Sequence, residues 1–301
     1  MRSNAALARR MDSPAEDAEL RPETELPPTP EEASAEPAAP KPAEEPRMHL
    51  PANRPTRLPT AVGERALTRR QIASRREPRP VSPSVLTRLR CIHPQTPDQD
   101  VLQAFLALRS LAVQKNAVRN KLIMVTGIDE GAGASYVSMN LAAAFAMDTS
   151  RTAVIVEADM AHGSPYEPLL PKNAAGISDL IEDEKLGVAD VLHALPVPRL
   201  SAVPAGQRRN TPIEVFTEPA AADALQELAE RYPDRSVIVD APPIGSSYDA
   251  RVLRDLCDVV ILVVPHAGAT LQQIEDALAQ IPAEKHLAVV YNQLPRTGNE
   301  R

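Results

Sequence analysis

A run of small residues, Gly131-Ala132-Gly133-Ala134-Ser135, separates the apolar stretch KLIMVT (121–126) from a helical stretch with Val137, Leu141 and Phe145 on one face. Glycines at that spacing let the backbone curl until successive N–H groups converge on phosphate oxygens, and the following helix adds the positive end of its dipole. Gly131, Ala132, Gly133, Ala134 and Ser135 are therefore the candidate nucleotide-binding residues, with the Ser135 hydroxyl placed to meet magnesium. Such a loop also needs an ammonium group on the β- and γ-phosphates. Ala134 stands at that position and carries none. Asp129 and Glu130 put two carboxylates on the approach, and like charges a few ångströms apart cost on the order of 1 kcal/mol even in water. Two other apolar runs end in acids. VIVEAD (154–159) presents Glu157 and Asp159, and RSVIVDAPP (235–243) presents Asp240. These three are the candidate catalytic carboxylates, in vestigial roles, and Ser135 with Asp240 is the candidate magnesium pair. ATP or ADP with magnesium is expected to bind weakly or not at all.

Positioning these groups requires buried strands. KLIMVT, TAVIVEAD (152–159), RSVIVDAPP, DVVILVV (258–264) and HLAVVYN (286–292) are short apolar runs with no polar face, as for strands covered on both sides. Between them the periodicity predicts helices near 137–148, 219–231, 248–255 and 270–280. Before them, TPDQDVLQAFLALRSLAVQKN (96–116) predicts a helix with Thr96 as N-cap, Pro97 at its first position and Val101, Phe105, Leu108 and Ala112 on one face. Strands alternating with amphipathic helices predict an α/β fold, a mostly parallel sheet with helices on both faces.

Composition changes near residue 95. Sixteen of the 31 prolines precede Gln95, and LPPTPEEASAEPAAPKPAEEP (26–46) is the densest tract. Proline removes amide donors, and the sparse apolar content cannot offset the entropy of ordering. Residues 1–90 are read as a disordered Pro-, Glu- and Arg-rich segment, 96–293 as the folded domain and 294–301 as a short flexible tail. The charges of the first segment are sorted: Glu16 to Glu45 is mainly acidic, and Arg54 to Arg90 holds ten arginines. It reads as a solvated tether, with docking of its Arg-rich half on an acidic surface as the sharper alternative. The net charge of −7 argues against general nucleic-acid binding. Cys91 and Cys257 share no short motif, which argues against a disulfide framework or a zinc site. No apolar run approaches the roughly 20 residues that cross a bilayer, and the first residues lack a secretion signal. The chain is expected to be cytoplasmic.

The motifs resemble the bacterial tyrosine kinases (BY-kinases) of capsule and exopolysaccharide synthesis, P-loop proteins related to the MinD/ParA ATPases. The resemblance covers about residues 97–293. The family's loop reads roughly T-S-x-x-P-G-x-G-K-S before a helix containing N-L-A. This chain keeps Thr126, Gly131, Gly133, Ser135 and Asn140-Leu141-Ala142, but has Glu130 for the proline and Ala134 for the lysine. The family's D-x-D-x-R becomes Glu157, Asp159 and Ala161, whereas the D-x-P-P motif is intact at Asp240. Of the E-x-x-R-x-x-R that family members use in ring assembly, only Arg109 remains, and the terminal tyrosine cluster has no counterpart; the tyrosines at 136, 166, 232, 248 and 291 read as core or helix-edge residues.

The resemblance implies a catalytically degenerate regulatory partner in exopolysaccharide (capsule, holdfast-like or biofilm polysaccharide) synthesis and export. It would be recruited to the inner face of the membrane by a chain-length determinant, a Wzz-type polysaccharide co-polymerase, and could form a homo-oligomer. Two alternatives remain open. One is a weak ATPase or protein-tyrosine kinase activated by a partner or by oligomerisation. The other is a MinD/ParA-type positioning ATPase, although Asp129 stands where that class has an extra lysine. The six histidines are scattered and read as solvated or satisfied. QRRN (207–210) reads as a solvated basic loop, Glu182-Asp183-Glu184 as a helix end and Ser246-Ser247 as a turn.

Overall fold

In the computed structural model the described residues are 80–115, 122–162, 166–206, 213–231 and 234–293, all within the unit Arg57–Arg301. Residues 1–79 of the segment expected to be disordered, the basic patch 207–210, Tyr232 and the tail 294–301 lie outside them.

Seven strands make one sheet: β1 (Leu122–Gly127), β2 (Thr152–Glu157), β3 (His193–Ala194), β4 (Leu200–Val203), β5 (Arg235–Asp240), β6 (Val259–Pro265) and β7 (His286–Asn292). Their order is β3-β4-β2-β5-β1-β6-β7. Every neighbouring pair is parallel except β3 with β4. The helices are α1 (Pro83–Arg88), α2 (Gln99–Lys115), α3 (Ala134–Ala146), α4 (Ile177–Glu182), α5 (Val188–Val191), α6 (Ile213–Thr217), α7 (Pro219–Glu230), α8 (Tyr248–Leu256) and α9 (Leu271–Ala279). The mostly parallel α/β fold read from the sequence is the fold observed.

Every residue of β1, β2 and β5 is buried. Successive strand residues point to opposite faces, so both faces of these strands are covered. β7 resembles them in sequence but lies at the sheet edge, and all its residues are partly exposed. Position in the sheet, rather than composition, separates it from the others. The central helix, α3, is buried at every position from Val137 to Ala146, as expected of a helix apolar nearly all round.

Two local expectations are corrected, and a third residue finds its place. The segment expected to be disordered to residue 90 is part of the packed chain from Val81: Val81 N–H donates to Pro196 O at 3.1 Å and α1 buries Leu86. Asn140 in α3 explains the attachment. Its Oδ1 accepts from Ile92 N at 2.7 Å and its Nδ2 donates to Arg90 O at 3.0 Å. The leading helix starts two residues later than its apparent cap predicts. Thr96 exchanges bonds with the His93 backbone, and Asp98 instead accepts from Val101 N at 3.2 Å. Finally, Arg109, the surviving charge of the assembly motif, donates to Ala144 O near the end of α3 at 2.8 Å. It caps a helix of its own chain, where a cation also suits the dipole.

Candidate functional site

The carboxyl ends of parallel strands are where an open α/β sheet forms its crevice, and β1, β2, β5 and β7 deliver the site there. Between β1 and α3 the loop turns through Gly131 and Gly133, with φ of 74° and 92°. Those left-handed values favour glycine. No hydrogen bond among the described residues engages the N–H groups of Gly131, Gly133, Ala134 or Ser135. The loop is therefore a set of amide donors at a helix N-terminus, a shape that fits phosphate. It is stitched to the end of β5: Thr126 Oγ1 donates to Pro242 O at 2.6 Å and Ile244 N–H to Gly127 O at 3.0 Å. Prolines 242 and 243, having no N–H, leave their carbonyls to such donors.

From the other side the end of β7 closes on the loop. Asn292 Nδ2 donates to Ala132 O and Gln293 Nε2 to Gly131 O, both at 2.9 Å. A Cβ placed on Gly133 would collide with the Asn292 amide. Glycine at 133 is thus favoured by its φ, and a Cβ there would also push the Asn292 amide aside.

The acidic half is organised differently. Asp240, at the end of β5, is 1% exposed. Its Oδ1 accepts from Ser138 Oγ at 3.0 Å and its Oδ2 from Tyr166 Oη at 2.9 Å, and the Ser135 hydroxyl is also bonded to it. Ser138 and Tyr166 each have one proton and a second acceptor, Ala134 O at 3.0 Å and Ser135 O at 3.1 Å respectively. With Ser135 counted, three hydroxyl protons face four acceptors, a shortage that a proton kept on Asp240 relieves. Burial pushes the Asp240 carboxyl up to about 7, against the lowering effect of the three hydroxyls and with a smaller push from Glu157. Burial likewise raises the Tyr166 phenol well above its ordinary value, and the Asp240 charge adds to it.

The other two predicted acids do not join Asp240 as a catalytic set. Glu157 pairs with Asp240 in register across β2 and β5, but it is buried and accepts from Ala205 N at 3.2 Å. Asp159 is held by its own turn: Ala161 N–H, His162 N–H and His162 Nδ1 lie within 3.3 Å of its oxygens. His162 Nε2 in turn faces Glu130 Oε1 at 3.7 Å. Asp249, in the first turn of α8, is buried, and its Oδ1 has no hydrogen-bond partner among the described residues. Burial and the Asp159 charge raise its pKa.

The loop amides therefore fit phosphate, whereas the Asp240 side of the crevice does not fit magnesium as it stands. Ala134 offers no cation, and Asp240 has both oxygens in hydrogen bonds and little solvent contact. Sequence reasoning missed Ser138, Tyr166, His162, Asn292 and Gln293. Ser138 was within reach of it, three residues beyond Ser135 on one helix face, as were polar residues ending an apolar strand. Nothing in the sequence places Tyr166 on Asp240. Elsewhere the bland readings hold: Ser246 lies in a turn, Ser247 caps α8 through Ala250 N–H, and Asp183 ends α4.

No protein-family profile matches the chain. Among curated proteins it is 28% identical over 188 residues to "Putative tyrosine-protein kinase EpsB" of Ralstonia solanacearum, a match covering 62% of this chain and 24% of that protein. It is 26% identical over 193 residues to "Tyrosine-protein kinase CpsD" of Streptococcus agalactiae serotype III, covering 63% of this chain and 81% of the relative. The chain thus spans about a quarter of the first relative and most of the second. In fold it matches the kinase domain of Escherichia coli tyrosine kinase ETK with a TM-score of 0.61 and 18% identity, over 76% of this chain and 87% of that one. Among the described residues no helix is long and apolar enough to cross a membrane. In sequence the chain is thus similar to bacterial tyrosine-protein kinases, and in fold to a bacterial tyrosine kinase domain.

Proposed function

We propose that the chain is a catalytically degenerate BY-kinase-like protein acting as a cytosolic regulatory partner in exopolysaccharide synthesis and export. It would bind the inner face of a membrane chain-length determinant of the Wzz type and influence its assembly without phosphorylating it. One observation carries the loss of catalysis: a phosphate-shaped loop has a methyl group at Ala134 in place of its ammonium, opposite an Asp240 enclosed by hydroxyls. Phosphoryl transfer depends on positioning and on neutralising charge, and this site retains only the first. The partner follows from the resemblance and not from the chemistry of a site.

In a test with purified full chain, the expected result is no magnesium-dependent tyrosine autophosphorylation and ADP affinity weaker than about 1 mM. Ala134→Lys should gain roughly 10- to 100-fold in ADP affinity, the range of one added charge-assisted contact. Capture of a Wzz-type co-polymerase should be the same for wild type, Ala134→Lys and Asp240→Asn. Autophosphorylation by the wild type overturns the reading.

The unpaired loop amides and the retained Ser135 favour a second reading, a weak ATPase whose missing cation comes from a partner. It predicts ATP turnover only when a partner is present, abolished by Asp240→Ala.

A further inference from the structure

The end of β7 meets the loop through two side-chain amides, and both of them reach carbonyls. Asn292 Nδ2 donates to Ala132 O and Gln293 Nε2 to Gly131 O, each at 2.9 Å. A trans peptide points its C=O and the following N–H in opposite directions. Holding Ala132 O toward β7 therefore turns Gly133 N–H away from β7. That N–H is one of the loop donors that no hydrogen bond among the described residues engages. Holding Gly131 O orients Ala132 N–H in the same manner, and this one meets Asp129 O at 3.3 Å. We propose that Asn292 and Gln293 are positioning residues for the phosphate cradle. They hold the 131–132 and 132–133 peptides with their carbonyls toward β7, which leaves Gly133 N–H free to meet an incoming phosphate. The inference rests on reading 131–135 as such a cradle.

The loop needs such a latch because its own residues do not choose a peptide orientation. Flipping the 132–133 peptide changes ψ of Ala132 and φ of Gly133 together, and glycine accepts φ of either sign. The flipped form turns a carbonyl oxygen toward the phosphate, and oxygen then faces oxygen. With a methyl group at Ala134 in place of an ammonium, attraction for an anion rests on how the amides point. The latch itself is firmly based. Asn292 pairs in register with Pro265 of β6, and His266 N–H donates to its carbonyl at 2.7 Å. Gln293 sits at φ 61°, a left-handed value that disfavours a residue with a Cβ. Conformations of that kind persist where the surrounding contacts over-determine them, and the bond to Gly131 O is such a contact. A ligand that requires one peptide orientation binds in proportion to the population that has it.

The test is calorimetric titration of the full chain with inorganic pyrophosphate in the presence of a metal chelator. Wild type, Asn292→Leu and Gln293→Met are compared, each also combined with Ala134→Lys to bring weak binding into range. Both latch substitutions keep the size of the side chain and remove its donor. Asn292→Leu should weaken pyrophosphate binding about 5-fold or more, and Gln293→Met about 2-fold or more, the range of one lost hydrogen bond. Gln293 is exposed, so its variant keeps the proposal testable if Asn292→Leu fails to fold. A merely structural role would lower the melting temperature and leave the affinity of the folded protein unchanged. That result, in a protein whose wild type binds pyrophosphate, overturns the latch and leaves the cradle standing. Absence of pyrophosphate binding even in Ala134→Lys overturns the cradle reading, and the latch with it.

Discussion

The two halves of the crevice have fared differently. On one side the amide cradle is complete: two glycines at positive φ, a helix N-terminus and the β7 end that closes on it. On the other, the side chains are tied up: Asp159 is bonded to its own turn and Asp240 lies under Tyr166, while Ala134 brings no amine. The difference teaches where robustness resides. The cradle is made of backbone and is maintained by the strand–loop–helix unit that also builds the core, so losing it would weaken the fold. The charges reside in single side chains.

Experiments can strain this contrast, beginning with the largest expected effect. Asp240 has a folded pKa of about 7, above the ordinary 3.8. The native state therefore binds the proton more tightly than the unfolded chain between those values. Its stabilising contribution is fully present below about pH 4 and is lost as pH rises through about 7, a change on the order of 2–4 kcal/mol. Urea midpoints measured from pH 5 to 8 should fall in the wild type, and Asp240→Asn should flatten that slope. A slope unchanged by Asp240→Asn would place the titrating group elsewhere.

Gly133→Val tests the cradle. A branched residue at φ 92° beside the Asn292 amide should lower stability by about 2–3 kcal/mol, read from denaturant unfolding. A near-neutral result would mean that the loop is free of the β7 end. Arg109→Ala should cost about 1–2 kcal/mol, because an arginine bonded to the Ala144 carbonyl is a charged cap of α3. If the variant changes self-association instead, measured by sedimentation, the arginine serves assembly rather than the helix. Glu130→Ala should change stability by less than about 0.5 kcal/mol, since its contact with His162 is exposed and long. It should still ease anion approach, visible as tighter metal-free ADP binding at low salt.

Much of this molecule is legible in its residues. Apolar runs such as VIVEAD and RSVIVDAPP have no polar face to show water, so parallel strands covered on both sides follow directly. The loop follows too, because Gly131, Gly133 and Ser135 lie between such a strand and a helix. Asp240 could be assigned from its motif, but its condition could not. Glu157 and Asp159 were grouped with it because they too end an apolar run, yet backbone donors at Ala205 and at residues 161–162 bond to them here. The start of the folded chain was also misjudged: Pro83 and the arginines of 79–90 look like tether, while their anchor, Asn140, lies some fifty residues away. Thr96 looked like a cap for its own helix, but the His93 backbone took its hydroxyl.

Sequence alone determined the periodicity of burial, the positions that tolerate positive φ and the absence of an amine at 134, because these are properties of a residue and its immediate neighbours. Only the tertiary structure decided that Tyr166 covers Asp240, that Asn292 meets Gly133 and that Arg109 caps α3. Those contacts join residues 74, 159 and 35 positions apart. Their partners are set by how strands and helices stack, information that no local pattern of side chains contains.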